Sequence, residues 1–373
     1  MNENKKPSAD DPVNGVTPWL KIMHETYLSQ GTMLAFPTCF PGATIPIVPD
    51  ECHITALDST PNGFVYGGTS GKRAHVIVGL FCGVTGMVYD LRAVEGATHS
   101  AAVCCGKTRF LACVNPPRGG GRILASKLWP MPYEGLGAWG FERPAFDDLG
   151  ECVTGEPIVH AVADASSDLV VGVTTAHLFT VDMATFKVQV VAEVPGSGRL
   201  AGGSKGGIIG RDGMGHLWRF DTQTRTLQPK AFELPYGSWD KAGFVWARPR
   251  QRGLLYVADA DGNLFSFDEE RGFSASLGKT PLAPVGPMAI TFDGRVFGFC
   301  GDGIAKMFCY DPGRGEMITL GVAASVFERR RLGYIFGDAV TGRDGEIIFA
   351  EDDDGGHLWL YFPKIQALRA ATG

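Results

Sequence analysis

A strand word recurs seven times along this chain, and no other feature restricts its fold as strongly. An apolar run leads to a turn carrying Gly or Asp. A short strand follows, then a loop, then a second strand with a turn behind it, and a final strand often ending in Leu-Gly. The middle strands read FVYGGT (64–69), RFLACV (109–114), LVVGVTT (169–175), GIIGRDG (207–213), LLYVADADG (254–262), RVFGFCGDG (295–303) and EIIFAEDD (346–353). The strands after them read AHVIVGLF, GRILASKLW, AHLFTVD, GHLWRFD, NLFSFD, AKMFCYD and GHLWLYF. From Ala74 to Gly356 the six steps average 47 residues, and the two GHLW copies stand 141 residues apart, three such steps.

Four short strands with hairpin turns at this period describe a propeller blade. The expected fold is therefore all-β: a seven-bladed β-propeller of four-stranded antiparallel blades, spanning residues 31–365 as one domain. Residues 1–30 read as a flexible or partly helical segment and 366–373 as a tail. The last blade lacks a fourth strand after Phe362. An N-terminal strand within Met33–Phe36 or Ile45–Val48 is expected to complete it and close the ring, which also removes exposed sheet edges. A tandem of β-sandwiches is the alternative, and sandwiches do not repeat one word seven times.

Composition agrees with a core-forming chain. Hydrophobic residues make up 45% and charged residues 20%, while Gly 51 and Pro 23 occur without a G-X-Y period and so mark turns. The net charge is -6 and basic residues are scattered, which excludes a nucleic-acid footprint. No run approaches a membrane span, and the polar opening MNENKKPSADDPVNG has no apolar stretch behind it. The nine cysteines include no CxxC pair and several sit in apolar runs. Reduced, buried thiols and a cytoplasmic location are the expectation.

The repeat also gives direction. In a blade the first strand starts on one face of the disc, the second returns to it, and the third starts there again. His53, His99 and His160 sit at first-strand starts, and His75, His177, His216 and His357 at third-strand starts. Seven of the eight histidines thus share one face, and His24 lies outside the pattern. Histidine in "[AG]HL" reads either as a repeat signature or as chemistry. His53 and His75 come from one blade and flank one hairpin. Two imidazoles there can remove a proton and return one to a leaving group. Metal ligation by three or four histidines is the rival use, although no HxH or HExxH spacing supports it. No cofactor is expected.

Other candidates join that face. The run Glu351-Asp352-Asp353-Asp354 offers hard oxygen ligands without ordered calcium-loop spacing, and reads equally as a solvated turn. The loop FERRRLGYIFGD (327–338) brings Arg331, Tyr334 and Asp338, with arginine suited to a substrate carboxylate. The loop PYGSWDK (235–241) adds Tyr236, Trp239 and Lys241, aromatics that stack on sugar rings or pack. The insertion 128–144 is either a lid or an elongated hairpin on the opposite face.

The YGGTSG…AH segment with a histidine some twenty residues upstream resembles seven-bladed propeller polysaccharide lyases, the ulvan-lyase-like and rhamnose–glucuronate lyase groups, and a related glycosidase group. The runs PMAITFDGRVFGFCGDG…MFCYDP and GYIFGDAVTGRDGEIIFAEDD…GHLWLYF look like the same family. The resemblance covers residues 50 to 363. It implies β-elimination at a uronic acid: a cation neutralises the carboxylate, a histidine or tyrosine removes the C5 proton, and an acid assists departure of the C4 oxygen. On it, His53 and His75 match the histidine pair. The family's tyrosine position falls in NPPRGGG, which has none, so Tyr133 is the nearest substitute. His160 stands where an arginine is expected, and Arg118, Arg122 or Arg143 can replace it.

The expected function is a lyase on a short uronate-containing saccharide, acting in the central funnel. The catalytic candidates are His53, His75, Tyr133 and Arg143. Substrate contacts are expected from His99, Arg118, His160, Tyr236, Trp239, Lys241, Arg331 and Tyr334. A glycoside hydrolase on the same scaffold, or a non-catalytic propeller binding glycan or protein, are the alternatives. The expected partner is a small saccharide, with no nucleic acid and no membrane.

Overall fold

The computed structural model describes residues 26–38, 47–82, 85–128, 144–164, 166–194, 197–239, 244–247, 253–325 and 331–364. They form seven antiparallel blades in chain order. The inner strands are His53–Ser59, His99–Cys105, Ile158–Asp164, Ser197–Gly202, Trp246–Ala247, Val285–Ile290 and Phe336–Thr341, which open blades 1 to 7. Each inner strand touches the inner strand of the next blade, and that of blade 7 touches that of blade 1, so the ring is closed. The outer strand of blade 7 is Gly31–Pro37, paired antiparallel with His357–Pro363 from Gly31 opposite Pro363 to Pro37 opposite His357. Of the other segment weighed for that place, Ile47 and Val48 lead into a single 3-10 turn, Pro49–Glu51, before blade 1. The N-terminal strand is held from behind: Tyr361 donates its hydroxyl to the Tyr27 carbonyl, and Tyr27 donates to that of Ala324.

Burial explains why the repeat reads as it does. The second strands are covered on both sides by neighbouring blades, and Phe64–Ser70, Leu169–Thr174 and Ile347–Glu351 are buried throughout. The fourth strands face solvent, and Val188–Glu193 has no fully buried residue. The core accordingly lies in the seams between blades. Among the described residues there are seven apolar clusters, each filling one seam. Tyr66 of blade 1 lies 4.3 Å from Phe110 of blade 2, and Phe299 of blade 6 stacks on Phe336 of blade 7 at 3.8 Å. A single blade leaves both apolar faces in water, at about 1.5–3 kcal/mol for each large side chain, so the blades are stable only as a closed set.

One turn recurs between first and second strands. The amides of Gly63, Gly206, Gly294 and Gly345 each donate to the carbonyl three residues back, at 2.9–3.4 Å. Their φ angles lie between 83° and 91°, a region that favours glycine. At Gly294 an added Cβ meets nothing nearer than Pro312 at 4.0 Å, so backbone conformation alone opposes a side chain there. Gly294→Ala is expected to lower the unfolding free energy by about 1 kcal/mol. Urea unfolding checks this, and a variant as stable as the parent would show that the turn tolerates an L residue.

Candidate functional site

The inner strands carry a second recurring feature, at the ends that begin on the histidine face. In blades 1, 2, 3, 4, 6 and 7 the pairing register slips there, as between Ile54 and Ala56 or between Phe336 and Asp338. Such bulges release backbone groups from the ladder and turn them elsewhere. Two of the released residues are Thr55 and Gly337, and both carbonyls accept from Nη2 of Arg199, which belongs to blade 4. The same guanidinium pairs through Nη1 with Asp338 of blade 7. Asp338 also accepts from the Leu57 amide of blade 1 at 2.7 Å. Blade 4 lies across the ring from the junction of blades 7 and 1, so Arg199 spans the axis.

Beside this strut is a cavity of about 440 Å³, lined by His53, Arg331, Leu332, Tyr334, Ile335 and the turn Glu351–Gly355. His53 stands at the start of the innermost strand of blade 1, with Nδ1 3.4 Å from Asp352 and Nε2 3.2 Å from Asp354. Burial, reinforced by Asp353, raises the Asp352 carboxyl above its ordinary range, against the opposing pull of His53 and Arg199. Asp353 is raised as well, by burial and then by Glu351. Burial acts on Glu351 too, but His357 and Arg331 outweigh it and hold its carboxyl low. Arg331 lies 3.3 Å from Glu351, and the His357 amide donates to it at 2.9 Å. The neighbouring Cys52 thiol is pushed up to about 11, first by burial and then by Asp354, Glu351 and Asp353. It is therefore no nucleophile at neutral pH. An imidazole touching a carboxyl of raised affinity is a couple that exchanges protons readily.

The structure brings three of the sequence candidates together at this cavity: His53, Arg331 and Tyr334. His99 lies on the same face, exposed, at the next inner strand. His75 is not part of the cavity lining. It is 4% exposed, with Nε2 2.9 Å from Glu51 and Nδ1 3.0 Å from Asp90. His160 is buried and accepts the Leu200 amide on Nδ1. Trp239 is buried against Phe244 and Phe265 and donates to the Pro235 carbonyl. Tyr236 and Arg118 are exposed on the histidine face, outside the cavity lining. Tyr133, Arg143 and Lys241 lie outside the described residues. Arg122, weighed as a substitute cation, pairs with Asp148.

Arg199 carries no sequence signal as a site. Asp352 is legible only within the acidic run that offers oxygen ligands, and nothing in the sequence marks it as the partner of His53. No group of three or more His, Cys, Asp or Glu able to hold a metal occurs among the described residues.

His75 has a distinct role. Burial lowers its pKa, but Asp90 and Glu51 more than offset this and hold it above the ordinary value of 6.5. Glu51 is held below its ordinary 4.5, mainly by His75 and also by Arg73, against burial. A raised histidine stabilises the fold below its unfolded pKa and loses this as pH rises through the folded one. A lowered carboxyl stabilises above its unfolded pKa and loses this as pH falls. His75→Asn should thus cost most between roughly pH 4.5 and 6.5, on the order of 3 kcal/mol, and less toward pH 9. Melting curves of parent and variant across pH check this, and a gap independent of pH would refute the paired charge.

No protein-family model matches the chain, and comparison with curated proteins finds no match. Solved structures do resemble it. Selenomethionine-substituted virginiamycin B lyase from Staphylococcus aureus superposes with a TM-score of 0.60 at 9% identity, over 88% of this chain and 99% of that one. A catalytically inactive variant of that lyase with quinupristin gives 0.59 at 10% identity, with the same coverage. A protein of unknown function from Bacteroides thetaiotaomicron gives 0.50 at 11%, over 90% and 77%. At such identities the likeness supports the propeller fold and not the ulvan-lyase or rhamnose–glucuronate lyase type. The chain is a seven-bladed β-propeller with lyases among its structural neighbours.

Proposed function

We propose that this chain is a carbon–oxygen lyase whose proton-transfer centre is the His53–Asp352 couple at the cavity wall. The observation that carries the reading is the couple itself. An imidazole at the mouth of the axial funnel touches a carboxyl whose proton affinity is raised by burial. Elimination needs a proton removed beside a carbonyl or carboxylate and another delivered to the departing oxygen, without redox change. A couple that holds and releases protons serves that chemistry. The structural likeness to a lyase agrees with this at the level of fold.

For the substrate, a short uronate-containing saccharide places its carboxylate at Arg331 and a ring face on the exposed Tyr334. The cavity lining favours a second reading. The acidic residues Glu351, Asp352, Asp353 and Asp354 outnumber the basic residues Arg331 and His53 in the lining, which disfavours an anionic substrate and favours one that is neutral or positively charged.

Incubation with glucuronate-containing oligosaccharides tests the first reading, because elimination leaves an unsaturated uronate that absorbs in the ultraviolet. His53→Ala and Asp352→Asn are each expected to lower kcat/KM by about 10²–10⁴. Full activity in both variants overturns the assignment. Release of sugar without the chromophore indicates hydrolysis, and binding without turnover indicates a recognition module.

A further inference from the structure

A chain of hydroxyls at the seam between blades 1 and 2 sets where His99 carries its proton. Thr55 Oγ1 lies 2.8 Å from the Ser100 carbonyl oxygen and 2.7 Å from Ser70 Oγ. Ser70 Oγ lies 3.0 Å from the Ser100 amide nitrogen and 2.9 Å from His99 Nδ1. A carbonyl oxygen only accepts, so the Thr55 proton goes to Ser100. Ser70 must then donate to Thr55, which leaves its oxygen to accept from both the Ser100 amide and His99. Nδ1 therefore bears the ring proton, and Nε2 of the neutral ring keeps its lone pair. No other placement of the Thr55, Ser70 and His99 protons satisfies all four contacts.

Nε2 has no partner among the described residues, and His99 is exposed to solvent. His160, in the next blade, is wired the other way: its Nδ1 accepts a backbone amide, and the residue is buried. Partial desolvation and then the charge of Arg199 hold His99 below its ordinary pKa, so the ring is neutral at neutral pH. Arg199 is the charged group whose field reaches it; Ser70, which bonds its Nδ1, and Thr55 and Ser100, which bond Ser70, are neutral. Ser70 also connects the half-buried imidazole of His53 with the exposed one of His99, because it stands opposite His53 in the blade 1 register while its hydroxyl supports His99.

We propose that His99 is the proton acceptor of this site and the His53–Asp352 couple its proton donor. The division rests on the lyase reading above. His99 Nε2 takes the proton from the substrate carbon, and the C–H electron pair becomes the second bond of the new alkene. The C–O bond breaks, and its oxygen leaves with a proton from the couple. His99 returns its proton to solvent and the couple regains one, so no oxidant or co-reactant is consumed. Ser70 and Thr55 are positioning residues that keep the ring in the receiving tautomer.

Two measurements on the full chain separate this proposal from the lyase reading. Long-range ¹⁵N–¹H correlation of labelled histidine, assigned through His99→Gln, should show His99 protonated on Nδ1 at neutral pH and titrating below 6.5. Arg199→Gln should move that midpoint upward, and Arg199→Lys should leave it in place. An Nε2-protonated ring, or a midpoint at or above 6.5, overturns the proposal. In the elimination assay His99→Gln should lose about 10²–10⁴ in rate, and Ser70→Ala should displace the acid limb of the pH profile. A fully active His99→Gln refutes the proton-acceptor role and leaves the lyase reading standing. A parent chain that eliminates nothing, with His99 titrating as expected and reacting first with diethyl pyrocarbonate, sinks the lyase reading and with it the catalytic role.

Discussion

The ring is tied across its axis by one guanidinium. Bulges in the inner strands of blades 1 and 7 take the carbonyls of Thr55 and Gly337 out of their ladders, and Arg199 satisfies both while pairing with Asp338. Asp338 in turn holds the Leu57 amide across the seam where the chain ends meet. Were Arg199 absent, a buried carboxylate would stand uncompensated, a loss that a seam of apolar contacts cannot replace. The same charge sets the local electrostatics. It draws the Asp352 carboxyl down against its desolvation, and it keeps His99 less basic. A device that closes the ring thus also conditions the chemistry at its mouth.

Around the strut, imidazoles of similar sequence context meet different surroundings. His53 faces two carboxylates at the cavity wall, and His99 rests on a hydroxyl beside a guanidinium. The third-strand histidines are each matched to one acidic neighbour or more: His75 to Glu51 and Asp90, His177 to Glu156, His216 to Asp212 and His357 to Glu351. Their backbone amides are bound as well, by Thr69, Thr174, Asp212 and Glu351 near the ends of the second strands. In this position histidine fastens a hairpin. The two GHLW copies belong to that pattern, which accounts for their recurrence without a catalytic role.

That contrast shows where reading the chain alone works and where it stops. Strand polarity follows from hairpin connectivity, so the sharing of one face by His53, His75, His99 and His160 was legible from residue order. Distance from the axis does not follow from residue order, and it is what separates His53 from His75. First strands are innermost and third strands lie further out, so the start of the first is central and the start of the third is covered. Glu51, from the turn before blade 1, supplies that cover for His75. The sequence leaves stacking and packing both open to Trp239, and the aromatic cluster around it decides for packing.

The sequence by itself determined the number of blades, their order and the face on which the histidines gather. Each of these follows from a local period of strands and turns. Only the tertiary structure decided that Arg199 reaches Asp338, separated by 139 positions, that Asp352 meets His53, and that Ser70 orients His99. The first two contacts join blades distant in the chain and depend on the closure of the ring, and the third crosses the seam between consecutive blades. None of the three leaves a mark in the spacing of residues along one blade.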